Sequence, residues 1–322
     1  MRQDISRGVK GPKGFSADEL ADMLASADEG LWRDIFAAAR EVKTKCGKTE
    51  VLPRGLIETS NICAKDCLYC GIRKGNAKVP RYLIPEDEVA ACIDEARRRG
   101  YPAVAFQAGE IESEANTAYY ERLIAICRGL EVTLSLGEQT EEVYRRWKDA
   151  GAMRYLIRIE TSNRELYAKI HPAACSFERR LGCIRTLKKL GYVTGSGVMI
   201  GIPGQTIRDL ANDIVFYGEE NLDMVGMGPY VPNCDTPPSL CLQSPVSSPF
   251  RRLDLTLRMI ALTRLYLHNV NIVAATALEA LDPEGGRNRG IEAGANVGMP
   301  VLTPEKYRCN YDLYPGKCEV VS

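Results

Sequence analysis

Short apolar runs alternate with amphipathic stretches along most of the chain. A buried parallel strand reads as a short run of β-branched and other apolar residues, whereas a surface helix repeats its apolar positions about every three to four residues. The apolar runs predict strands at Gly55–Ser60, Ala103–Gly109, Val132–Gly137, Arg154–Thr161, Val193–Ile202, Met224–Tyr230, Asn271–Ala277 and Asn296–Val301. The amphipathic stretches predict a helix after each strand, at Pro85–Arg99, Asn116–Cys127, Glu141–Ala150, Phe177–Leu190, Thr206–Glu220, Arg251–Leu267, Glu284–Ala293 and Pro304–Leu313.

Strands that alternate with helices along a chain of 322 residues indicate a parallel sheet covered by helices. We predict an α/β fold with a single (β/α)8 barrel of the TIM type, and a doubly wound sheet of about six strands is the alternative. A helical pattern over residues 15–46, with Ser16 as its N-cap, precedes the first strand. The predicted organisation is therefore an N-terminal helical extension over residues 1–50 and a barrel domain over residues 51–322. One Pro/Ser-rich loop, Pro232–Pro249, follows the sixth strand.

Charge and hydropathy exclude several classes of partner. The 42 basic residues are balanced by 42 acidic residues, so the chain lacks the basic patch expected of a nucleic-acid-binding protein or of one that binds an anionic membrane. No apolar run approaches the roughly 18 residues of a transmembrane helix. The first residues, Met1 to Asp4, are polar and do not resemble a signal peptide. We expect a cytoplasmic protein in a reducing compartment that is poor in oxygen, where its cysteines stay free of disulfides.

Three cysteines form the most informative motif of the chain. Cys63, Cys67 and Cys70 have the spacing C-x3-C-x2-C directly after the first predicted strand. An iron-sulfur cluster held by three thiolates leaves one iron open to a cofactor or substrate, whereas a structural zinc ion usually takes four ligands. The two histidines, His171 and His268, are far away in sequence. The motif therefore favours a three-thiolate iron-sulfur site, with zinc and chance clustering as the alternatives.

Other polar groups follow later strands, at the barrel end where such enzymes carry their chemistry. Glu110 ends the segment Gln107-Ala-Gly-Glu110, whose small residues allow a ligand to approach the backbone, and whose carboxylate can accept from an ammonium group. Glu138 and Glu160 end the third and fourth predicted strands. Arg180 can bind a carboxylate in bidentate fashion. The alternatives are a solvated carboxylate for Glu110 and structural ion pairs for the other three.

The cysteine motif, with Tyr69 before its last cysteine, resembles that of the radical SAM superfamily. Within the superfamily the chain is similar to the HydE family of FeFe hydrogenase maturases, which are relatives of biotin synthase and methylornithine synthase. The similar segments are Ile57–Arg73, Gln107–Glu110, Thr133–Glu138, Gly197–Thr206, Asp223–Tyr230, Gly294–Pro300 and Leu313–Lys317.

The resemblance implies that Cys63, Cys67 and Cys70 bind a 4Fe-4S cluster whose open iron is chelated by S-adenosylmethionine. Reductive cleavage of that cofactor would give a 5′-deoxyadenosyl radical. It also implies cofactor contacts for further residues: Glu110 with the amino group, Glu160 and Arg180 with the methionyl part and the ribose, Glu138 at the barrel mouth, and Gly201, Ile202 and Pro203 with the adenine through backbone groups. Thr133, Ser135, Thr276 and Met299 are expected to line the cavity or to pack the barrel interior.

The implied substrate is a small molecule or an organometallic iron species. The implied partners are a reductant such as ferredoxin or flavodoxin and other hydrogenase maturases. A radical mutase or lyase like methylornithine synthase and a non-catalytic iron-sulfur carrier or scaffold are the functional alternatives. The chain departs from the family pattern at Ile111 and Ile159, where the family has Asp and His, and this puts the substrate in question. Cys309 and Cys318 are poor candidates for a second cluster, and surface or packing roles are expected for His171 and His268.

Overall fold

Eight parallel strands form the central sheet of the computed structural model, which describes residues 14–237 and 249–317. The strands are β1 Leu52–Ser60, β2 Ala103–Ala108, β3 Glu131–Ser135, β4 Arg154–Leu156, β5 Val193–Ser196, β6 Met199–Ile200, β7 Met224–Val225, β8 Gly228–Pro229, β9 Asn271–Ile272 and β10 Val297–Gly298. The sheet has the order β10-β1-β2-β3-β4-β5-β7-β9, and β6 pairs with β8 as a short extension.

The two edge strands of this sheet also contact each other. The amide of Asn296 donates to the carbonyl of Ile272 at 2.9 Å, and the amide of Ala274 donates to the carbonyl of Val297 at 3.0 Å. These hydrogen bonds connect β9 to β10 and close the sheet into a barrel. The predicted (β/α)8 barrel is therefore confirmed, and the open doubly wound sheet is excluded.

The helices lie outside the barrel and are mostly well capped. They are Ala17–Ala25, Glu29–Lys45, Glu86–Arg98, Glu114–Ile126, Glu141–Ala150, Arg164–Ile170, Phe177–Lys189, Ile207–Glu219, Pro249–Leu267, Thr276–Leu281, Gly286–Ala293 and Glu305–Arg308. Side chains such as those of Ser113, Thr140 and Ser176 accept from backbone amides in the first turn of their helices. None of the described helices has the length and apolar character needed to cross a bilayer.

The single helix predicted over residues 15–46 is wrong, because two helices occupy it. Ser26 has an extended backbone and ends the first helix, and the Asp28 side chain accepts from the amide of Leu31 at 3.1 Å to cap the second. The second helix contacts the helix Pro249–Leu267, where the guanidinium of Arg258 lies 4.4 Å from the ring centre of Trp32. A polar N-cap inside an apolar periodic stretch was the signal for this break.

The strands of the second half of the barrel are shorter than predicted. The predicted strand Val193–Ile202 is interrupted at Gly197, where a Cβ atom would lie 1.8 Å from the carbonyl oxygen of Gly226. The predicted strand Asn271–Ala277 gives way to the helix Thr276–Leu281, and the predicted last helix is reduced to Glu305–Arg308.

Two further predictions differ from the structure or lie outside it. The predicted strand Arg154–Thr161 ends at Leu156, and the helix Arg164–Ile170 was not predicted. Asn163 starts that helix by accepting from the amides of Glu165 and Leu166. Most of the Pro/Ser-rich loop, residues 238–248, lies outside the described residues.

Candidate active site

The ends of the first four strands meet at one mouth of the barrel. The loop with Cys63 follows β1, and Glu110, Glu138 and Glu160 follow β2, β3 and β4. Because parallel strands point the same way, all four segments lie at the C-terminal mouth of the barrel. A cavity of about 230 Å³ opens there, and its lining includes Cys63, Lys65, Cys67, Tyr69, Cys70, Glu110, Arg158, Glu160 and Arg180.

The backbone presents donors to the first cysteine. The Cys63 sulfur accepts from the amide of Glu110 at 3.3 Å and from the amide of Lys65 at 3.4 Å. Gly109 makes this approach possible, because a Cβ atom there would lie 2.2 Å from the carbonyl oxygen of Ile62 and 2.8 Å from the Cys63 Cβ. The end of β2 and the cysteine loop are therefore packed backbone against backbone.

Burial makes free thiolates unfavourable at this site. It raises the pKa of the Cys63 thiol, and it raises the pKa of the Cys70 thiol to about 12. Thiolates bind a metal centre only after they lose their protons, and a cationic iron core offsets the cost of their burial. The three thiols line one cavity, and backbone amides donate to the first of them, so the residues present fit an iron-sulfur cluster.

A single-ion site has less support. Among the residues that the structure describes, no group of three His, Cys, Asp or Glu side chains is placed to hold one metal ion. A four-iron cluster binds each of its cysteines through a different iron, so its ligands need not converge on a single point.

Glu138 and Arg180 form a buried ion pair behind the cavity. Arg180 Nε donates to Glu138 Oε1 at 2.7 Å, and Arg179 Nε lies 3.1 Å from Glu138 Oε2. Burial alone would raise the pKa of Glu138, but the cations around it, Arg180 before Lys65 and Arg179, together hold that pKa below its usual value. Glu138 is not among the residues that line the cavity, whereas Arg180 is.

Glu110 has the opposite electrostatic character. Burial raises the pKa of its carboxyl above the usual value, even though Arg180 opposes this shift. Lys65 Nζ lies 2.9 Å from Glu110 Oε1, yet this oxygen has no well-oriented hydrogen bond within residues 14–237 and 249–317. The neighbouring Gly137 has a φ of 77°, and a Cβ atom there would lie 2.2 Å from Glu110 Oε2. Glu110 is therefore buried at the cavity with acceptor capacity left over.

Glu160 lines the cavity from a backbone conformation that is rare for a residue with a side chain. Its φ is 67°, in the left-handed region, and such a conformation costs about 1–3 kcal/mol and persists only where its surroundings enforce it. Glu160 Oε2 lies 2.9 Å from the Arg158 guanidinium but has no well-oriented hydrogen bond among the described residues. Burial raises the pKa of this carboxyl. Glu160 and Glu110 thus share the same combination of burial, cavity exposure and spare acceptor capacity.

His171 is a site residue that the sequence did not reveal. Its Nε2 lies 3.3 Å from the Tyr69 hydroxyl, which also donates to Glu160 Oε1 at 3.5 Å. Its ring stacks on Tyr167 with a centroid distance of 3.9 Å, and burial lowers its pKa to about 4, so the ring is neutral. His171 therefore buttresses the aromatic residue inside the cysteine motif. Its separation from Tyr69 by 102 positions left no local signal.

The turn Gly201–Pro203 is buried but is not among the lining residues of the cavity. The Gln205 side chain accepts from the amides of Gly201 and Ile202, at 2.7 and 3.3 Å. The lining on this side consists of Met199 and the segment Gly228–Val231. Ile202 packs beside it, in one cluster with Met199.

A second cavity of about 150 Å³ lies inside the barrel and shares lining residues such as Gln107, Arg158 and Tyr314 with the first. Its lining includes all four residues expected to face the barrel interior, Thr133, Ser135, Thr276 and Met299. It also includes two buried cations that the sequence did not single out, Arg54 and Lys317. Arg54 donates to the Thr133 hydroxyl at 3.2 Å, and Lys317 pairs with the buried Glu58.

The two departures from the family pattern occupy different environments. Ile159 is fully buried in the hydrophobic core, so its side chain does not face the cavity. The carbonyl of Ile111 accepts from the side chains of Asn116 and Gln139 in the loop after β2. Cys309 is exposed, and Cys318 lies outside the described residues.

Comparisons with known proteins agree with this geometry. The profile of the radical SAM superfamily matches residues 57–216. The chain is 43% identical to the FeFe hydrogenase maturase subunit HydE of Thermotoga maritima over 304 residues, which are 94% of this chain and 85% of that protein. It is 25% identical to the 3-methylornithine synthase of Methanosarcina acetivorans, over 96% of this chain and 88% of that protein.

Solved structures show the same fold. The crystal structure of methylornithine synthase aligns with a TM-score of 0.79 at 21% identity and covers 94% of this chain and 86% of its own. The FeFe hydrogenase maturase HydG of Carboxydothermus hydrogenoformans aligns with a TM-score of 0.78 at 19% identity, over 93% of this chain and 69% of its own. At these identities the likeness establishes the barrel architecture.

Proposed function

The chain belongs to the radical SAM superfamily and, within it, to the family of the FeFe hydrogenase maturase subunit HydE, and from this premise we propose that it cleaves S-adenosylmethionine reductively during assembly of the FeFe hydrogenase active site. The observation that carries the proposal is the mouth cavity, where Cys63, Cys67 and Cys70 face Glu110, Glu160 and Arg180. When bound, a 4Fe-4S cluster supplies the electron that splits the cofactor into methionine and a 5′-deoxyadenosyl radical.

The three cysteines hold the cluster in this proposal, and the buried charges hold the cofactor. Glu110 and Glu160 have carboxylate oxygens with spare acceptor capacity at the cavity, which suits the amino group and the ribose hydroxyls of S-adenosylmethionine. Arg180 suits the carboxylate of the methionyl part, because a guanidinium binds a carboxylate in bidentate fashion. Glu138 contacts Arg180 from behind and contributes by fixing the orientation of that guanidinium.

The adenosine part is proposed to rest on the wall formed by Met199 and Gly228–Val231. The Gly201–Pro203 turn supports this wall, since the Gln205 side chain bonds its amides and Ile202 packs on Met199. The substrate, a small molecule or an organometallic iron species, would lie in the second cavity, inside the barrel, among Arg54, Thr133 and the residues around them. Enclosure by the barrel would keep water away from the radical.

The setting of the reaction follows from its chemistry. The cluster needs a low-potential electron, which we propose comes from a ferredoxin or a flavodoxin. An oxidisable cluster suits a reducing cytoplasm poor in oxygen. Other hydrogenase maturases are proposed as the proteins that receive or supply the iron species. The division into a helical extension over residues 1–50 and a radical SAM barrel over residues 51–322 remains part of this proposal.

Anaerobic turnover tests the proposal. The protein is reconstituted with iron and sulfide, reduced with dithionite and incubated with S-adenosylmethionine, and 5′-deoxyadenosine is measured by mass spectrometry. Cys63→Ala should lose both the cluster absorption and the product. Cys92→Ala is the matched control, because Cys92 is buried in the helix Glu86–Arg98, outside the cysteine motif, and should leave both unchanged. A wild-type protein that binds the cluster but forms no 5′-deoxyadenosine would instead support a non-catalytic carrier or scaffold.

The similarity to a 3-methylornithine synthase, which is 25% identical over 96% of the chain, favours a second candidate, a small-molecule radical mutase. Two assays separate the candidates. Restoration of activity in a hydrogenase maturation mixture that lacks HydE supports the maturase. Formation of 3-methylornithine, without such restoration, supports the mutase.

A further inference from the structure

Glu160 is held in its unusual conformation by contacts on both sides. Its backbone pairs with residues 197–199, which lead from β5 into β6: its amide donates to the carbonyl of Gly197 and its carbonyl accepts from the amide of Met199, both at 3.0 Å. These bonds hold the two peptide groups that flank the Glu160 Cα. The segment that leaves Glu160 is held separately, at Ser162 and Asn163.

A buried aspartate holds the chain two residues after Glu160. Asp213 Oδ1 accepts from the Ser162 amide at 2.7 Å and from the Ser162 hydroxyl at 2.6 Å. Asp213 lies on the helix Ile207–Glu219 and is fully buried. It does not line the mouth cavity, so it cannot touch the cofactor itself.

A second carboxylate on the same helix, one turn earlier, contacts the next residue. Asn163 Nδ2 donates to Asp209 Oδ1 at 2.8 Å, while Asp209 Oδ2 accepts from the amide and the hydroxyl of Thr206. Side chains four positions apart on a helix share one face. The helix thus presents two carboxylates to two successive residues of the Glu160 segment.

We propose that Asp213 is a positioning residue for S-adenosylmethionine binding: by holding Ser162, with Asp209 holding Asn163, it keeps Glu160 in the left-handed conformation that directs its carboxylate into the mouth cavity. The inference rests on the proposed function, because it assigns a role to Glu160 in cofactor binding. Its physical basis is that a strained conformation persists only where surrounding contacts over-determine it.

The oxygen acceptor, and not the negative charge, is the required feature. Both donors from Ser162 reach one oxygen, Oδ1, while Oδ2 has no hydrogen bond among the described residues. Burial raises the pKa of Asp213 to about 7, which agrees with a weak requirement for charge. Asparagine retains the acceptor oxygen, so Asp213→Asn should substitute for the native residue, whereas Asp213→Ala should not.

The test measures the dissociation constant of S-adenosylmethionine on the cluster-loaded protein. Asp213→Ala should weaken binding about tenfold, in the range seen when residues behind a site are removed. The turnover number at saturating cofactor should change much less, because no reacting group is lost. Asp213→Asn should bind within about twofold of wild type. Asn212→Ala, at the exposed neighbouring position of the same helix, should match wild type.

Hydrogen exchange gives a readout that does not depend on catalysis. In the cluster-loaded protein the Ser162 amide should exchange much faster in Asp213→Ala than in wild type, and Asp213→Asn should restore the protection. If Asp213→Ala does not accumulate as folded protein, Ser162→Ala is used, since it removes one donor and should weaken cofactor binding about threefold.

The possible failures are distinguishable. A wild-type protein that neither binds nor cleaves S-adenosylmethionine overturns the proposed function, and this inference with it. A wild-type protein that does both, beside an Asp213→Ala variant with unchanged affinity, overturns the inference alone. An Asp213→Asn variant as weak as Asp213→Ala also overturns it, because the acceptor oxygen would then be insufficient.

Discussion

The two halves of the barrel contribute different chemistry to the same cavity. The first half, from β1 to the helix Phe177–Lys189, supplies the three cysteines together with Lys65, Glu110, Arg158, Glu160 and Arg180. The described lining from the second half is uncharged at neutral pH, and it consists of Met199, Gly228–Val231, Ala277, Tyr311, Leu313 and Tyr314. S-adenosylmethionine has a similar division, since its methionyl end is charged and its adenine ring is flat and uncharged.

The halves also differ in their backbones. The first three strands have five to nine residues each, whereas β6 to β10 have two each. Long strands fix the positions of buried charges, whose interactions depend strongly on distance and desolvation. A surface that packs against a planar group needs close backbone approach instead, and the glycines of the second half permit it. Regular backbone therefore accompanies the ionic half, and irregular backbone accompanies the apolar half.

The largest effect is expected from a methyl group added in the second half. Gly197→Ala would place a Cβ atom 1.8 Å from the backbone oxygen of Gly226, and neither segment can move without disturbing the pairing of β5 with β7 and of β6 with β8 on either side. We expect a loss of about 5 kcal/mol or more in the free energy of unfolding. Gly182→Ala is the control, since a Cβ atom there meets nothing within 4 Å on its helix, and it should stabilise by about 0.5–1 kcal/mol. Urea unfolding followed by circular dichroism measures both, and equal stabilities would contradict the close approach of the strands.

Breaking the ion pair of the first half ranks second. Glu138→Gln leaves the buried guanidinium of Arg180 without its main counter-ion, which should cost about 3–5 kcal/mol. Glu114→Gln removes an exposed partner of Arg146 and should cost less than about 1 kcal/mol. The comparison of midpoints in urea checks this, and a Glu138→Gln variant as stable as Glu114→Gln would show that Arg180 is not desolvated.

The third prediction concerns the pH dependence of stability that arises from Asp213, a residue of the second half that bonds Ser162 of the first half. Because the folded-state pKa of Asp213 is raised from 3.8 to about 7, its contribution to stability is complete below pH 4 and is lost as the pH rises towards 7. Asp213→Asn removes this dependence. The variant should therefore gain on wild type by about 2–3 kcal/mol between pH 5 and pH 8. Urea unfolding at the two pH values measures the gain, and a constant difference between the proteins would refute it.

The smallest effects compare the two sides of the cofactor. Glu160→Gln should raise the dissociation constant of S-adenosylmethionine about tenfold, because a charge-assisted hydrogen bond becomes a neutral one. Met199→Leu conserves volume on the apolar wall and should change the constant by less than about threefold. Equilibrium binding to the cluster-loaded protein decides this, and the reverse ranking would overturn the assignment of the halves.

The sequence predicted the barrel and the place of the site because both depend on local patterns. Strand and helix periodicity gives the fold class, and a parallel barrel brings the strand ends together, so Cys63, Glu110 and Glu160 were predicted at one mouth. Which acids face the cavity could not be predicted. Glu138 turns away because Arg180, 42 positions later, packs against it.

Other features were missed because they also depend on contacts between residues far apart in sequence. The contact of His171 with Tyr69 and the approach of Gly197 to Gly226 join residues distant in sequence. The limits of the short strands in the second half depend on such contacts more than on apolar periodicity. Two missed features had a local signal in a capping side chain: the break between the first two helices, at Asp28, and the start of the helix Arg164–Ile170, at Asn163.

Arg81 holds the cysteine loop in shape through hydrogen bonds to its backbone. Its guanidinium donates to the carbonyls of Asn61, Ile72, Arg73 and Asn76, and none of these bonds involves a sulfur atom. The shape of the loop is thus held by protein groups that the cysteines do not supply. The loop should therefore be ordered before the cluster binds. When the protein is loaded with iron and sulfide, the rate should be set by delivery of the cluster and not by folding of the loop.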